Sequence, residues 1–169
     1  VDIRPFADPP HRVCDDRPYG GGPGMVMKVE PIVRAYREST RMNGKPDVVL
    51  ALSASGELLT DRLVREFSRV RNICVLCGHY EGIDQRAMEI MKAREISIGN
   101  FLMTGGEIGA LALIDAVSRF VPGVLGKEQS AEEESFAMPG GVVEYPHYTR
   151  PAVFEDREVP APLRGGDHA

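Results

Sequence analysis

The chain has 169 residues, a length that suits one folded domain with a sizeable core. Hydrophobic residues make up 43% and charged residues 27%, an ordinary globular composition, and no apolar run approaches the ~20 residues needed to cross a bilayer. The net charge of −5 weighs against a general nucleic-acid binder but leaves room for a local basic patch, because the field at a site depends on where the charges lie. Val1 to Pro5 carries no signal-peptide apolar stretch, and three cysteines are too few and too odd for a disulfide framework, so a cytoplasmic protein is expected.

In chain order, the first unusual string is Asp15-Asp16-Arg17-Pro18-Tyr19-Gly20-Gly21-Gly22-Pro23-Gly24-Met25. Its glycines forbid a helix or an ordinary strand. Its amides could form an anion nest flanked by Arg17 and Tyr19, or the segment could simply be a hinge; composition weighs the two equally. A helix is predicted from Glu30 to about Met42, carrying Val33 and Tyr36 inward. Asp47 to Leu52 reads as a strand. A helix with Leu63, Val64, Phe67 and Val70 on one face follows, with Thr60 as its N-cap. Ile73 to Cys77 is a second strand. Cys74 and Cys77 lie three apart on it, so their sulfurs point to opposite faces and they read as core cysteines, not a metal or redox pair. Beyond Asp84, the positions Ala87, Met88 and Met91 predict another helix, and Glu95 to Ile98 a third strand. The strongest helix keeps Ile108, Leu111, Ile114, Val117 and Phe120 on one face and stops at Pro122-Gly123. The tail after Pro139 reads as irregular coil, with extended stretches at His147 to Pro151 and Val159 to Pro162.

Strands alternating with helices imply an α/β fold with parallel strands. Each strand ends in a loop of small residues: 52–56, 77–84 and 98–107. In an open α/β sheet these loops share the edge where ligands bind. No G-x-G-x-x-G follows the first strand and no Walker lysine motif occurs, which argues against a conventionally held dinucleotide or triphosphate. Arg119 near a helix end and the run Glu132-Glu133-Glu134 would each pass as solvated charges on spacing alone.

DDRPYGGGPGM (15–25), CGHYEGID (77–84), SIG (97–99), TGGE (104–107), LIDAVSRFVPGVLG (113–126) and PHYTRP (146–151) occur in the same order in the bacterial tRNA (guanine-N1)-methyltransferases of the SPOUT class. The chain resembles that family over essentially its whole length. The resemblance implies a SPOUT-type parallel sheet with helices on both faces and a trefoil knot toward its C-terminal side, formed around 77–84 and 97–109. It implies a single catalytic, cofactor-binding domain over 1–169, without the family's first strand and helix and its small helical C-terminal domain.

The implied reaction moves a methyl group from S-adenosyl-L-methionine to N1 of the guanosine immediately 3′ of the tRNA anticodon, leaving S-adenosyl-L-homocysteine. The implied assembly is a homodimer with the active site at the subunit interface and tRNA lying across both copies. By match to the family motifs, the cofactor would be held by Leu52 and Ser53, by Gly78, Tyr80 and Gly82, and by Ser97, Ile98, Gly99, Asn100, Phe101, Leu102, Met103, Gly105 and Gly106. Substrate contacts would come from Asp15, Arg17, Tyr19, Gly21, Gly22, Gly24 and Glu81. Arg119 would stabilise charge on guanine O6, and Glu134 stands where the family has an aspartate base, with Glu133 next to it. Magnesium use in the family finds no cluster with metal-ligand spacing here, Glu81 and Glu107 being the candidates.

Departures from the family pattern are Ala54-Ser55 for Pro-Gln, His79 for an arginine, Phe101 for a tyrosine and Gly109 for a proline. Fewer prolines leave loops less pre-organised. A cofactor-binding module that no longer turns over, or a SPOUT enzyme acting at another RNA position, are the alternative readings.

Overall fold

The computed structural model describes residues 1–124, 135–136 and 145–165. The chain divides into two compact units, Val1–Ala131 and Glu132–Ala169.

In the first unit, β1 (Asp15–Asp16) and β2 (Val26–Met27) form a short antiparallel pair around the glycine-rich string. Helix α1 (Val29–Asn43) follows, then β3 (Val48–Leu58), α2 (Asp61–Phe67), β4 (Ile73–Leu76), α3 (Gln85–Met91), β5 (Arg94–Ser97) and α4 (Glu107–Ser118). The sheet is parallel throughout, in the order β4-β3-β5. Adjacent residues of the central strand face opposite ways and build two cores. Val49 packs with Ile32 and Val33 of α1 and with Ala87 and Met91 of α3. Leu50 packs with Leu63 and Phe67 of α2, Ile96 of β5 and Leu113 of α4. Helices therefore cover both faces. Each such side chain, fully buried, contributes about 1.5–3 kcal/mol of hydrophobic stabilisation.

The sequence reading ends the first strand at Leu52, but β3 runs on to Leu58. Both Leu52 and Glu57 register with Ile96, so residues 53–56 form an excursion within the strand. Beyond it the strand is held by Leu59 N–H donating to Ser97 O at 2.8 Å and by Arg94, which pairs with Glu57 at 2.6 Å and also with Glu66 of α2. Thr60 does precede α2, yet its side chain makes no capping hydrogen bond, and Val70 falls beyond the helix. Asp84 caps α3 through its side chain, accepting from Arg86 N–H at 2.9 Å.

The one apolar face read for the last long helix is not the face that packs on the core. Ile108, Leu111 and Ile114 are 67%, 63% and 52% exposed, while Gly109, Ala110 and Leu113 are buried. α4 is apolar nearly all round, so periodicity could not choose its face. The helix lies close to the sheet on this face: a Cβ on Gly109 would meet the side-chain ends of Leu52 and Ile98 at 2.9 and 3.1 Å. Val117 and Phe120 are half-buried, Val117 against the second core and Phe120 beneath the Arg65 guanidinium, 4.2 Å from the ring centroid.

In the second unit, β6 (Val153–Phe154) and β7 (Arg157–Glu158) make an antiparallel hairpin turned by Glu155 and Asp156, both at positive φ. Two such central residues match the twist of the flanking strands. The tail is therefore not all coil. The extended stretch read at Val159 to Pro162 gives way to a single helical turn, α5 (Ala161–Arg164), because Pro162 in its first turn has φ already set for a helix.

Candidate functional site

The three loops meet around a cavity of about 490 Å³ in the first unit. That volume lies within the range of small-molecule sites, ~300–1,000 Å³. The excursion of β3 supplies one wall. Gly56 is obligatory there, since a Cβ would overlap the backbone of Ile96 and Glu95.

The second loop, Cys77–Asp84, is held on two sides. Its outer side pairs with the glycine-rich string's return strand: Glu81 N–H donates to Met25 O at 2.9 Å, Met27 N–H to Gly82 O at 2.9 Å and Asp84 N–H to Met27 O at 3.0 Å. On its inner side Gly106 N–H donates to Gly78 O at 2.8 Å, and His79 bridges to Gly105. A Cβ on Gly106 would sit 2.8 Å from Cys77 Cα and 2.9 Å from Gly78 N, so the third loop can lie this close only as glycine. His79 Nε2 and Glu107 Oε1 are 2.6 Å apart, and this contact holds the Glu107 carboxyl below its usual range. Burial pushes the Cys77 and Cys74 thiols up, so neither is primed as a nucleophile.

The third loop turns on Ser97. Its hydroxyl donates to Gly99 O at 3.1 Å and accepts from Gly99 N–H at 3.3 Å. Phe101, Leu102 and Met103 then stand 58%, 85% and 40% exposed over the cavity.

Over residues 1–169 the chain matches the family model described as tRNA (Guanine-1)-methyltransferase TrmD. The chain belongs to the TrmD family. It is 50% identical to the tRNA (guanine-N(1)-)-methyltransferase of Carboxydothermus hydrogenoformans, over 99% of this chain and 64% of that protein. It is 48% identical to the Chloroflexus aurantiacus protein of the same name, over 99% and 65% of the two chains, and 50% identical to that of Geobacter metallireducens, over 99% and 67%. The chain thus spans about two thirds of the length of these relatives.

For a TrmD-family chain, the cofactor positions read from the sequence fall as follows. Leu52, Ser53, Gly78, Tyr80, Gly82, Ser97, Ile98, Gly99, Phe101, Leu102, Met103, Gly105 and Gly106 all line the cavity. Asn100 does not; it sits at the exposed turn of the third loop. Of the substrate positions, Glu81 lines the cavity, and Gly24 abuts it so closely that a Cβ would overlap the Glu81 side chain. Asp15 pairs with Met27 across β1 and β2. Arg17, Tyr19, Gly21 and Gly22 lie on the outward string, with Tyr19 fully exposed. Arg119 is the C-cap of α4, at the opposite end of that 12-residue helix from Gly106, ~18 Å along its axis. Glu134 and Glu133 lie outside the described residues.

Sequence reasoning passed over Ser55, Gln85, Met88 and Glu95, which also line the cavity. Only Ser55 carried a signal, as a small polar residue in the first loop. Among the described residues, no three acidic, histidine or cysteine side chains gather to hold a metal ion, and no helix is long and apolar enough to cross a membrane.

Proposed function

We propose that this chain transfers a methyl group from S-adenosylmethionine to N1 of the guanosine 3′ of the tRNA anticodon, in the cytoplasm where tRNA is found. The observation that carries the reading is the match to the TrmD family over 1–169, with the family's cofactor positions, all but Asn100, gathering on one cavity. The residues fit the cofactor: Gly78 and Gly82 let backbone face the cavity, while Leu52, Ile98 and Leu102 offer apolar surface for an adenine.

When bound, the cofactor supplies an electrophilic methyl on a sulfonium. The chain's own residues must expose N1 and manage its proton. Glu134 takes the N1 proton in this reading, and Arg119 stabilises the charge that develops on O6. The amides and cation of 17–24 contact tRNA phosphate, since four glycines at positive φ turn a bare backbone outward beside Arg17. A trefoil knot formed around 77–84 and 97–109 belongs to the same proposal and rests on the family match.

A homodimer belongs to the same proposal. Ile108, Leu111 and Ile114 present an apolar helix face that a second copy would cover. Arg119 stands a helix length from its own cavity, as a site shared between two subunits would require.

Incubation of the full chain with labelled S-adenosylmethionine and tRNA transcripts bearing guanosine or adenosine at the target tests the reading. Transfer to the guanosine transcript alone is expected. Transfer to both would move the activity to another RNA position, and cofactor binding without transfer would leave only a binding module.

A further inference from the structure

One group of cavity-lining side chains is unlike the rest. Ser53, Ser55 and Glu95 line the cavity side by side. Ser55 Oγ donates to Glu95 Oε2 at 3.0 Å, and the two serine hydroxyls are 2.8 Å apart. A hydroxyl has a single proton to give. With that of Ser55 committed to Glu95, Ser53 must be the donor in the serine pair, while its oxygen accepts from Ser55 N–H at 3.3 Å. The relay therefore runs from Ser53 through Ser55 and ends on a carboxylate. Every side-chain proton is used, and only acceptor capacity remains. Among the described residues Glu95 has no cationic partner and its Oε1 no donor, whereas Glu57 and Glu66 are held by arginines and Glu107 by His79. Glu95 is half-buried and lines the cavity, so its acceptor lies within reach of a ligand there.

We propose that Glu95, positioned by Ser55 and Ser53, is an acceptor subsite that takes a hydrogen-bond donor of the bound nucleoside: a ribose hydroxyl or the ammonium of the amino-acid arm. The proposal rests on the S-adenosylmethionine reading and adds to it the residue that would select for a donor on the ligand. A carboxylate is well matched to either group, because a charge-assisted hydrogen bond is stronger than a neutral one and an aliphatic or acceptor group placed there would leave Glu95 unpaired.

Calorimetric titration of the full chain with S-adenosylhomocysteine and with 5′-methylthioadenosine, which keeps the ribose and lacks the amino-acid arm, tests it on wild type, Glu95→Gln and Ser55→Ala. Glu95→Gln should weaken S-adenosylhomocysteine by about 10-fold or more, and Ser55→Ala by a few-fold in the same direction. An equal loss for both ligands assigns the donor to the ribose; a loss for S-adenosylhomocysteine alone assigns it to the ammonium. Glu95→Gln within twofold of wild type for both ligands overturns the subsite while leaving the cofactor reading intact. Wild type binding neither ligand overturns the cofactor reading and the subsite with it. Unchanged circular dichroism confirms that each variant is folded; should Glu95→Gln not fold, Glu95→Asp and Ser55→Ala carry the same comparison.

Discussion

Two glycine-rich regions of this chain look alike in sequence and behave oppositely. Around the cavity, Gly56 and Gly106 are glycine because something occupies the place of a Cβ: the backbone of Ile96 and the backbone of Cys77. In the string 20–24, Gly20, Gly21 and Gly22 have nothing within 4 Å of a Cβ and are glycine because their φ is positive. Close packing makes the first region a fixed wall. Open space makes the second a shaped but uncovered loop, suited to a large partner such as RNA.

Gly106→Ala probes the packed region and should have the largest effect. A methyl forced against Cys77 Cα and Gly78 N must displace backbone, so a loss of about 2–3 kcal/mol is expected, read as a lower urea midpoint together with lost S-adenosylhomocysteine binding. Gly21→Ala meets no atoms and strains only φ, at about 1 kcal/mol. It should weaken tRNA binding and leave S-adenosylhomocysteine affinity unchanged; equal loss of both would erase the distinction between the regions.

Asp84 ends the packed second loop and caps α3. Arg86, by side-chain and backbone contacts, holds its carboxyl below the ordinary range despite partial burial. A depressed folded-state value means that its contribution is present above the unfolded value of 3.8 and is lost as the pH falls through the lower folded one. Asp84→Ala should cost about 1 kcal/mol at neutral pH and less as the pH drops below 4, so that thermal midpoints of variant and wild type converge in acid. Leu111→Glu, on the exposed face of α4, should change monomer stability by no more than ~0.5 kcal/mol. If two copies cover that face, ultracentrifugation will show the variant shifted to monomer; an unshifted dimer would place the interface elsewhere.

Much of the fold was legible along the chain. The alternation of Asp47–Leu52, Ile73–Cys77 and Glu95–Ile98 with helical segments located all three parallel strands within a few residues, except where β3 continues past its excursion. The excursion was illegible because Glu57 and Leu58 rejoin the sheet only through Ile96 and Ser97, some forty residues onward. Glu95 was illegible as a cavity residue for the same reason, since nothing near it in sequence points to Ser55.

By itself the sequence determined the α/β class, the three small-residue loops and the family, through motifs whose residue types are constrained locally. Only the tertiary structure decided which face of α4 is buried, because an all-round apolar helix reports hydrophobicity and not its partner. It also decided what each glycine is for. A missing side chain is written in the sequence, but whether it makes room for a neighbour or frees a dihedral depends on what the fold brings beside it.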